Sequence, residues 1–215
     1  FGHSTEQAQQ VVRVALANRA HYKLRVKSGG HDHEAECTAD DAIVIDFSQT
    51  YGFDLDINKV LRVESGTIFK QVIPHLDENN VSIPHGTCET VGVMGFTLGG
   101  GWGPWTRKHG MCCEHLVGAT MIDAEGEIRN LSIQNEEDQE LLWAIRGGGG
   151  YTFGIFSELF IQTFPQPKHT VRFTVTWERL LGGRTMPPAI KVLEQWENII
   201  APGENENLLG TNLQV

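Results

Sequence analysis

The sequence predicts an α+β fold, and three observations predict it. Stretches with helical spacing alternate irregularly with short β-branched stretches. Two pairs of strand signals are joined by polar turns of the kind that close antiparallel hairpins. Three glycine loops, at residues 28–30, 92–103 and 147–150, punctuate the pattern where a backbone must turn sharply or come close to a ligand. The chain has 215 residues and is 40% hydrophobic, enough for a packed core and for one large or two small domains.

Ser4 opens the first helix, which runs through AQQVVRVALAN; Gln7 stands at capping-box distance. Val11, Val12, Val14, Ala15 and Leu16 form its apolar face. Lys23, Leu24, Arg25 and Val26 alternate as a short strand that runs directly into Ser28-Gly29-Gly30-His31. Successive backbone N–H groups in such a loop form a concave anion site, with His31 beside it. Residues 42–48 and 60–66 are strands, and the DLDINK turn between them predicts that they pair as a hairpin. Residues 67–79 form a helix capped by Thr67, with Phe69, Val72, Ile73 and Leu76 inward and Pro74 inviting a kink. Residues 81–84 lead as a short strand into the glycine-rich stretch, and PWTRKHGM after it reads as a polar turn. Residues 116–123 and 127–132 are strands about the turn Ala124-Glu125-Gly126. A short helix over 136–145, with Leu141, Leu142 and Ile145 on one side, stops at Arg146 and four glycines. Residues 153–164 form another strand. After a break at Gln166-Pro167-Lys168, glycine density falls, and a strand over 171–177 and a helix over 187–200 begin a second domain. The domains are therefore read as 1–167 and 168–215.

The formal net charge of −10 and the lack of a basic stripe argue against nucleic acid. No apolar run approaches the roughly 20 residues of a membrane helix. The compartment stays open, because the chain begins at Phe1. Its four cysteines, Cys37, Cys88, Cys112 and Cys113, make no C-x-x-C pair and are too few for a disulfide scaffold. The adjacent Cys112 and Cys113 read as buried small hydrophobes.

Residues 85–103 set seven glycines among Val91, Val93, Met94, Phe96, Leu98 and Trp102. This reads as backbone wrapped closely round something flat or phosphorylated; the alternative is a run of tight turns in a β-rich core. Three glycine loops suit a ligand long enough to span the domain, such as a dinucleotide. Neither G-x-G-x-x-G opening a helix nor G-x-x-x-x-G-K-[ST] is present, so a different fold must hold it. Alone, His31 with Asp32, His33 and Glu34 also suits a metal cluster, although the preceding glycine loop favours a phosphate. Cys88 alone also reads as an inert buried thiol. Arg146 either contacts phosphate or ends its helix favourably, the second being preferred. His21, His75, His109 and His115 read as surface or packing residues.

Taken in order, Ser28-Gly29-Gly30-His31, Gly86-Thr87-Cys88 with Val91-Gly92 and Gly99-Gly100-Gly101, then Trp143 to Gly150 with Phe153-Gly154-Ile155 resemble the berberine bridge enzyme-like branch of the vanillyl-alcohol oxidase flavoproteins. The resemblance runs from about Ser4 to Pro165. It implies a PCMH-type FAD-binding domain of two α+β subdomains, followed by the start of an α/β substrate domain. It also implies FAD held by two covalent bonds, from His31 to the 8α carbon and from Cys88 to C6. A neutral imidazole or a thiolate has the right chemistry to attack an electron-poor ring. Ser28, Gly29 and Gly30 match the pyrophosphate loop, flanked by Lys27 and Asp32. Gly86, Thr87, Val91, Gly92, Gly95, Gly99, Gly100 and Gly103 match positions around the flavin, and Gly154 and Ile155 match the segment at the adenine end. The position of Val91 controls oxygen access in that family, and a small residue there goes with oxidases.

The implied activity is oxidation of a sugar or alcohol hydroxyl carbon, with O2 reduced to H2O2. The alternatives are a dehydrogenase with another acceptor, a non-catalytic flavin carrier, and the metal enzyme. One departure is His33, where the family often has tyrosine; histidine titrates near neutrality and suits an acid–base role. The family's catalytic base and most of its substrate pocket belong to segments beyond those matched, which marks the chain as a fragment or as a carrier without full machinery.

Overall fold

The computed structural model describes residues 4–18, 21, 23–150, 152–175, 189–201, 203 and 210–211. It is an α+β structure in which three sheets share the described residues with six α-helices. Helix α1 (Thr5–Ala17) starts as the sequence predicts, the Gln7 N–H donating to Ser4 Oγ at 3.3 Å. Strand β1 (Lys23–Lys27) pairs in parallel with β2 (Ala42–Asp46), and Lys27 Nζ lies 2.9 Å from Asp46 Oδ2 across the last rung. Ala8 and Val12 of α1 pack with Ile45 and Phe47 into one core, which also takes in Ile122 and Ile155.

The larger sheet has the order β3 (Phe53–Leu55), β4 (Val60–Glu64), β8 (Ile155–Gln162), β6 (Leu116–Ile122) and β7 (Ile128–Ser132), antiparallel throughout. Strand alternation sorts its two faces. Leu61, Val63, Leu159, Ile161, Ala119 and Met121 join the main core with Phe69, Val72 and Leu76 of α2 (Phe69–Glu78) and Leu142 and Ile145 of α5 (Gln139–Gly148). On the other face Arg62 forms ion pairs with Asp54, Glu64 and Glu158 from three strands. Strand β5 (Val81–Ser82) pairs with β9 (Phe164–Pro165), tying the entry of the glycine-rich stretch to the end of β8.

Several expectations are corrected. β2 and β4 do not form a hairpin: β2 lies beside β1, and the Asp56–Lys59 turn instead joins β4 to the three-residue β3. Thr67 does not cap α2. It is buried with its hydroxyl donating to Gly52 O, and the helix starts after Ile68, whose N–H donates to the Gln71 side chain. Val14 is exposed, because the buried stripe of α1 follows Ala8, Val12 and Ala15. α2 runs through Pro74. The glycine-rich stretch is not irregular throughout: α3 (Val93–Leu98) occupies its middle, and the polar turn after it contains α4 (Thr106–His109). Residues 171–175 form no strand, and 176–177 lie outside the described residues; α6 (Ala189–Ile200) covers the described part of the final predicted helix. Arg146 and Gly147 leave helical geometry, so the helical run of α5 breaks at the glycine loop, as expected.

Candidate functional site

The loop after β1 and the loop before α3 interlock. A Cβ added to Gly29 would sit 2.3 Å from Gly92 N, and one added to Gly92 would sit 2.7 Å from both Gly29 N and Ser28 Oγ. No side chain fits between them, so glycine is required at both positions by contact rather than by turn geometry. Ser28 Oγ also donates to Ser65 O at the end of β4. Gly92 bridges to Ile68, and the Val93 N–H donates to Thr67 O at 3.0 Å, so the start of α2 fixes the start of α3.

This contact brings His31 and the 86–92 segment together. His31 Nε2 lies 2.9 Å from Thr90 Oγ1, and Cys88, two residues before Thr90, is exposed. The other cysteines differ. Cys37, Cys112 and Cys113 are buried, and burial pushes the Cys112 thiol up to about 12 although Thr97 lies 3.3 Å from its sulfur. Cys88 is therefore the open thiol among them, and it stands in the same joined pair of loops as an open imidazole.

The remaining glycines sort by neighbour. Gly95 has nothing within 4 Å of an added Cβ and is exposed, which leaves one face of α3 as bare backbone. Gly103 packs on His85 O, Gly86 faces the Phe96 ring, and Gly101 lies against Cys112. Gly99 ends α3, and Gly100 has φ +110°, so the chain turns there only because it is glycine. The Gly149 N–H reaches Leu98 O, which brings the third glycine loop to the end of α3. Gly154 and Ile155 stand apart. Gly154 is held against Met121 and Ile122 O, and the Ile155 side chain is part of the α1 core, so only their backbone is available to a ligand.

Lys27 lays its stem along Gly30 while its ammonium pairs with Asp46. Burial opposes ionisation of Asp46, but the Ser48 backbone N–H and then Lys27 outweigh it and hold the carboxyl below the usual range. Asp32 is turned inward to its own loop, accepting from the Glu34 and Glu36 N–H groups at 2.9 and 3.1 Å. His33 and Glu34 are exposed, and among the described residues no three metal-ligating side chains gather. Thr87 is exposed and Val91 half-buried against the main core. Arg146 donates to Leu116 O, at the start of β6, at 2.6 Å, so its guanidinium meets strand backbone rather than the end of its own helix.

Sequence reasoning missed two contributors. Thr90 is indistinguishable in type from Thr87 until the loops are joined. His85 accepts from Trp105 Nε1 at 2.9 Å on Nε2, which leaves Nδ1 to donate to Gly86 O at 2.8 Å and braces the segment leading to Cys88. The pairing of His85 with an indole twenty positions on carries no local signal. His109 packs as expected, stacked on Phe164 with centroids 3.7 Å apart.

An exposed imidazole, an exposed thiol, a glycine-to-glycine contact and a bare helix face suit a flat, phosphorylated cofactor. A family model described as FAD binding domain matches residues 1–132. The chain is 33% identical over 206 residues to glucooligosaccharide oxidase of Sarocladium strictum, covering 94% of this chain and 40% of that protein. It is 32% identical over 169 residues to berberine bridge enzyme-like 12 of Arabidopsis thaliana, covering 75% of this chain and 31% of that one. A solved structure of glucooligosaccharide oxidase from Acremonium strictum, whose title describes a 6-S-cysteinyl, 8α-N1-histidyl FAD, superposes with a TM-score of 0.67 at 31% identity, over 78% of this chain and 35% of that one. The chain thus spans well under half the length of these relatives. Among the described residues no helix is long and apolar enough to cross a membrane.

Proposed function

Because the chain belongs to the FAD binding domain family, we propose that it is the flavin-holding part of an FAD-dependent oxidase acting on a hydroxyl-bearing carbon of a sugar or alcohol. The observation that carries this reading is the interlock at Gly29 and Gly92, which puts an exposed imidazole and an exposed thiol in one pair of joined loops. Bound there, FAD supplies the redox step, taking a hydride from the substrate carbon and passing the electron pair to O2 to give H2O2.

The chain's own residues bind and orient. His31 and Cys88 are assigned the two covalent bonds, in the pattern named for the Acremonium enzyme. Ser28, Gly29 and Gly30 receive the pyrophosphate through backbone N–H groups, with Lys27 beside them. Gly95 and Gly99, both exposed, leave room for the ring to lie on backbone, while the space at Gly92 and Gly100 is taken by Gly29 and Met111; the backbone of Gly154 and Ile155 meets the adenine end. Val91 presents a small side chain at the rim and keeps an oxygen path open. His33, exposed two residues after His31, is available to hold or release a proton.

The test uses the complete polypeptide encoded by the gene. Acid-precipitated, washed protein is expected to stay yellow, with flavin mass on both the His31 and the Cys88 peptides. Adding glucooligosaccharides or simple alcohols is expected to release peroxide. Colourless washed protein overturns the covalent assignment. Flavin that sugar reduces but air reoxidises poorly points to the dehydrogenase instead.

A further inference from the structure

We propose that Thr90 is the positioning residue that selects which nitrogen of His31 attaches the flavin; this rests on the covalent reading above. His31 Nε2 lies 2.9 Å from Thr90 Oγ1. A neutral imidazole carries one N–H and one lone pair. With the Thr90 hydroxyl accepting from Nε2–H, the lone pair is on Nδ1, and Nδ1 is the nucleophile. The contact crosses between the two loops that Gly29 and Gly92 lock together, so the hydroxyl sits at a position fixed by backbone rather than by chance approach of two mobile side chains. Among the described residues, Thr90 is the hydrogen-bond partner of the His31 ring.

The attachment step balances as follows. The bond formed joins Nδ1 to the 8α carbon. The bond broken is one C–H of that methyl group, and its electron pair enters the ring system. The proton from the methyl group and the proton from Nε2 balance the charge, and O2 then removes the electron pair as H2O2. Nε2 ends with a lone pair, and the Thr90 hydroxyl turns from acceptor to donor. A hydroxyl serves both states, as a methyl group cannot.

The experiment compares parent, Thr90→Val and Thr90→Ser in the complete polypeptide, expressed without flavin and then loaded with FAD. Acid-stable flavin, the mass added at His31 and at Cys88 separately, and the isomer of the histidyl link (Nδ1 or Nε2) are followed in time. Thr90→Val is expected to slow attachment at His31 about tenfold or more, or to yield the Nε2 isomer, while attachment at Cys88 continues. Thr90→Ser is expected to restore the parent rate and the Nδ1 isomer. The Cys88 mass reports that the variant still folds and binds FAD. Attachment of Thr90→Val at the parent rate through Nδ1 alone overturns the proposal, as does a serine variant as slow as the valine one. A parent with no flavin mass at His31 overturns the covalent reading, and this proposal with it.

Discussion

Gly92 shows how a single missing Cβ organises the site. An alanine there would place a methyl group 2.7 Å from a backbone nitrogen and a hydroxyl that the Ser65 carbonyl already holds. Gly92→Ala is expected to cost about 1–3 kcal/mol by overpacking and to abolish acid-stable flavin, read by urea unfolding and by absorbance of washed precipitate. Val91 tests a different property of the same loop. Val91→Leu is expected to lower the rate of reoxidation by O2 about tenfold or more with little change in flavin content, measured by stopped flow. His31 and Cys88 stood out in the sequence through the order of the glycine motifs, since alone the first also suits a metal cluster and the second an inert thiol. Thr90 did not, since its meaning comes from a neighbour 59 positions away.

At the scale of elements, the sequence was read well where periodicity is long and poorly where pairing is not local. Strands β6, β7 and β8 and helices α1 and α5 lie close to where their patterns put them. The β2–β4 hairpin failed because β3 has only three residues, too few to show alternation, while a parallel pair leaves no turn signal. The parallel pair carries its own prediction. Asp46 has a folded-state carboxyl held below its ordinary range. The stability it contributes is therefore present above the unfolded-state value near 4 and is lost as pH falls through the lower folded-state value. Asp46→Asn is expected to lower the urea midpoint at pH 7, and the gap from the parent is expected to close as pH falls through the lowered folded-state value.

The whole molecule depends on the join between the parallel β1–β2 pair and the five-stranded sheet. Phe47 is fully buried in the core that links α1 and β2 to Ile122 and Ile155 at the ends of β6 and β8. Gln9 and Arg13 of α1 add hydrogen bonds to Gly126 O, and Arg13 pairs with Glu127. Ser28, where the first sheet reaches the second, is on this join too. Phe47→Ala is expected to cost about 3–5 kcal/mol and to weaken FAD retention more than a core truncation of equal cost within the main sheet, measured by paired unfolding and flavin-release curves. Nothing local in the sequence shows this join, because its members come from widely separated segments and its apolar members each read as ordinary core.

The open thiol of Cys88 has one more consequence. The sulfur proposed to take FAD is, until then, within reach of peroxide and of other thiols, whereas its three counterparts are shielded by packing. Flavin-free protein is therefore expected to age at one atom. Preparations stored in air would lose competence for loading while their fold stays intact, and a reductant added before, not after, the cofactor would preserve it.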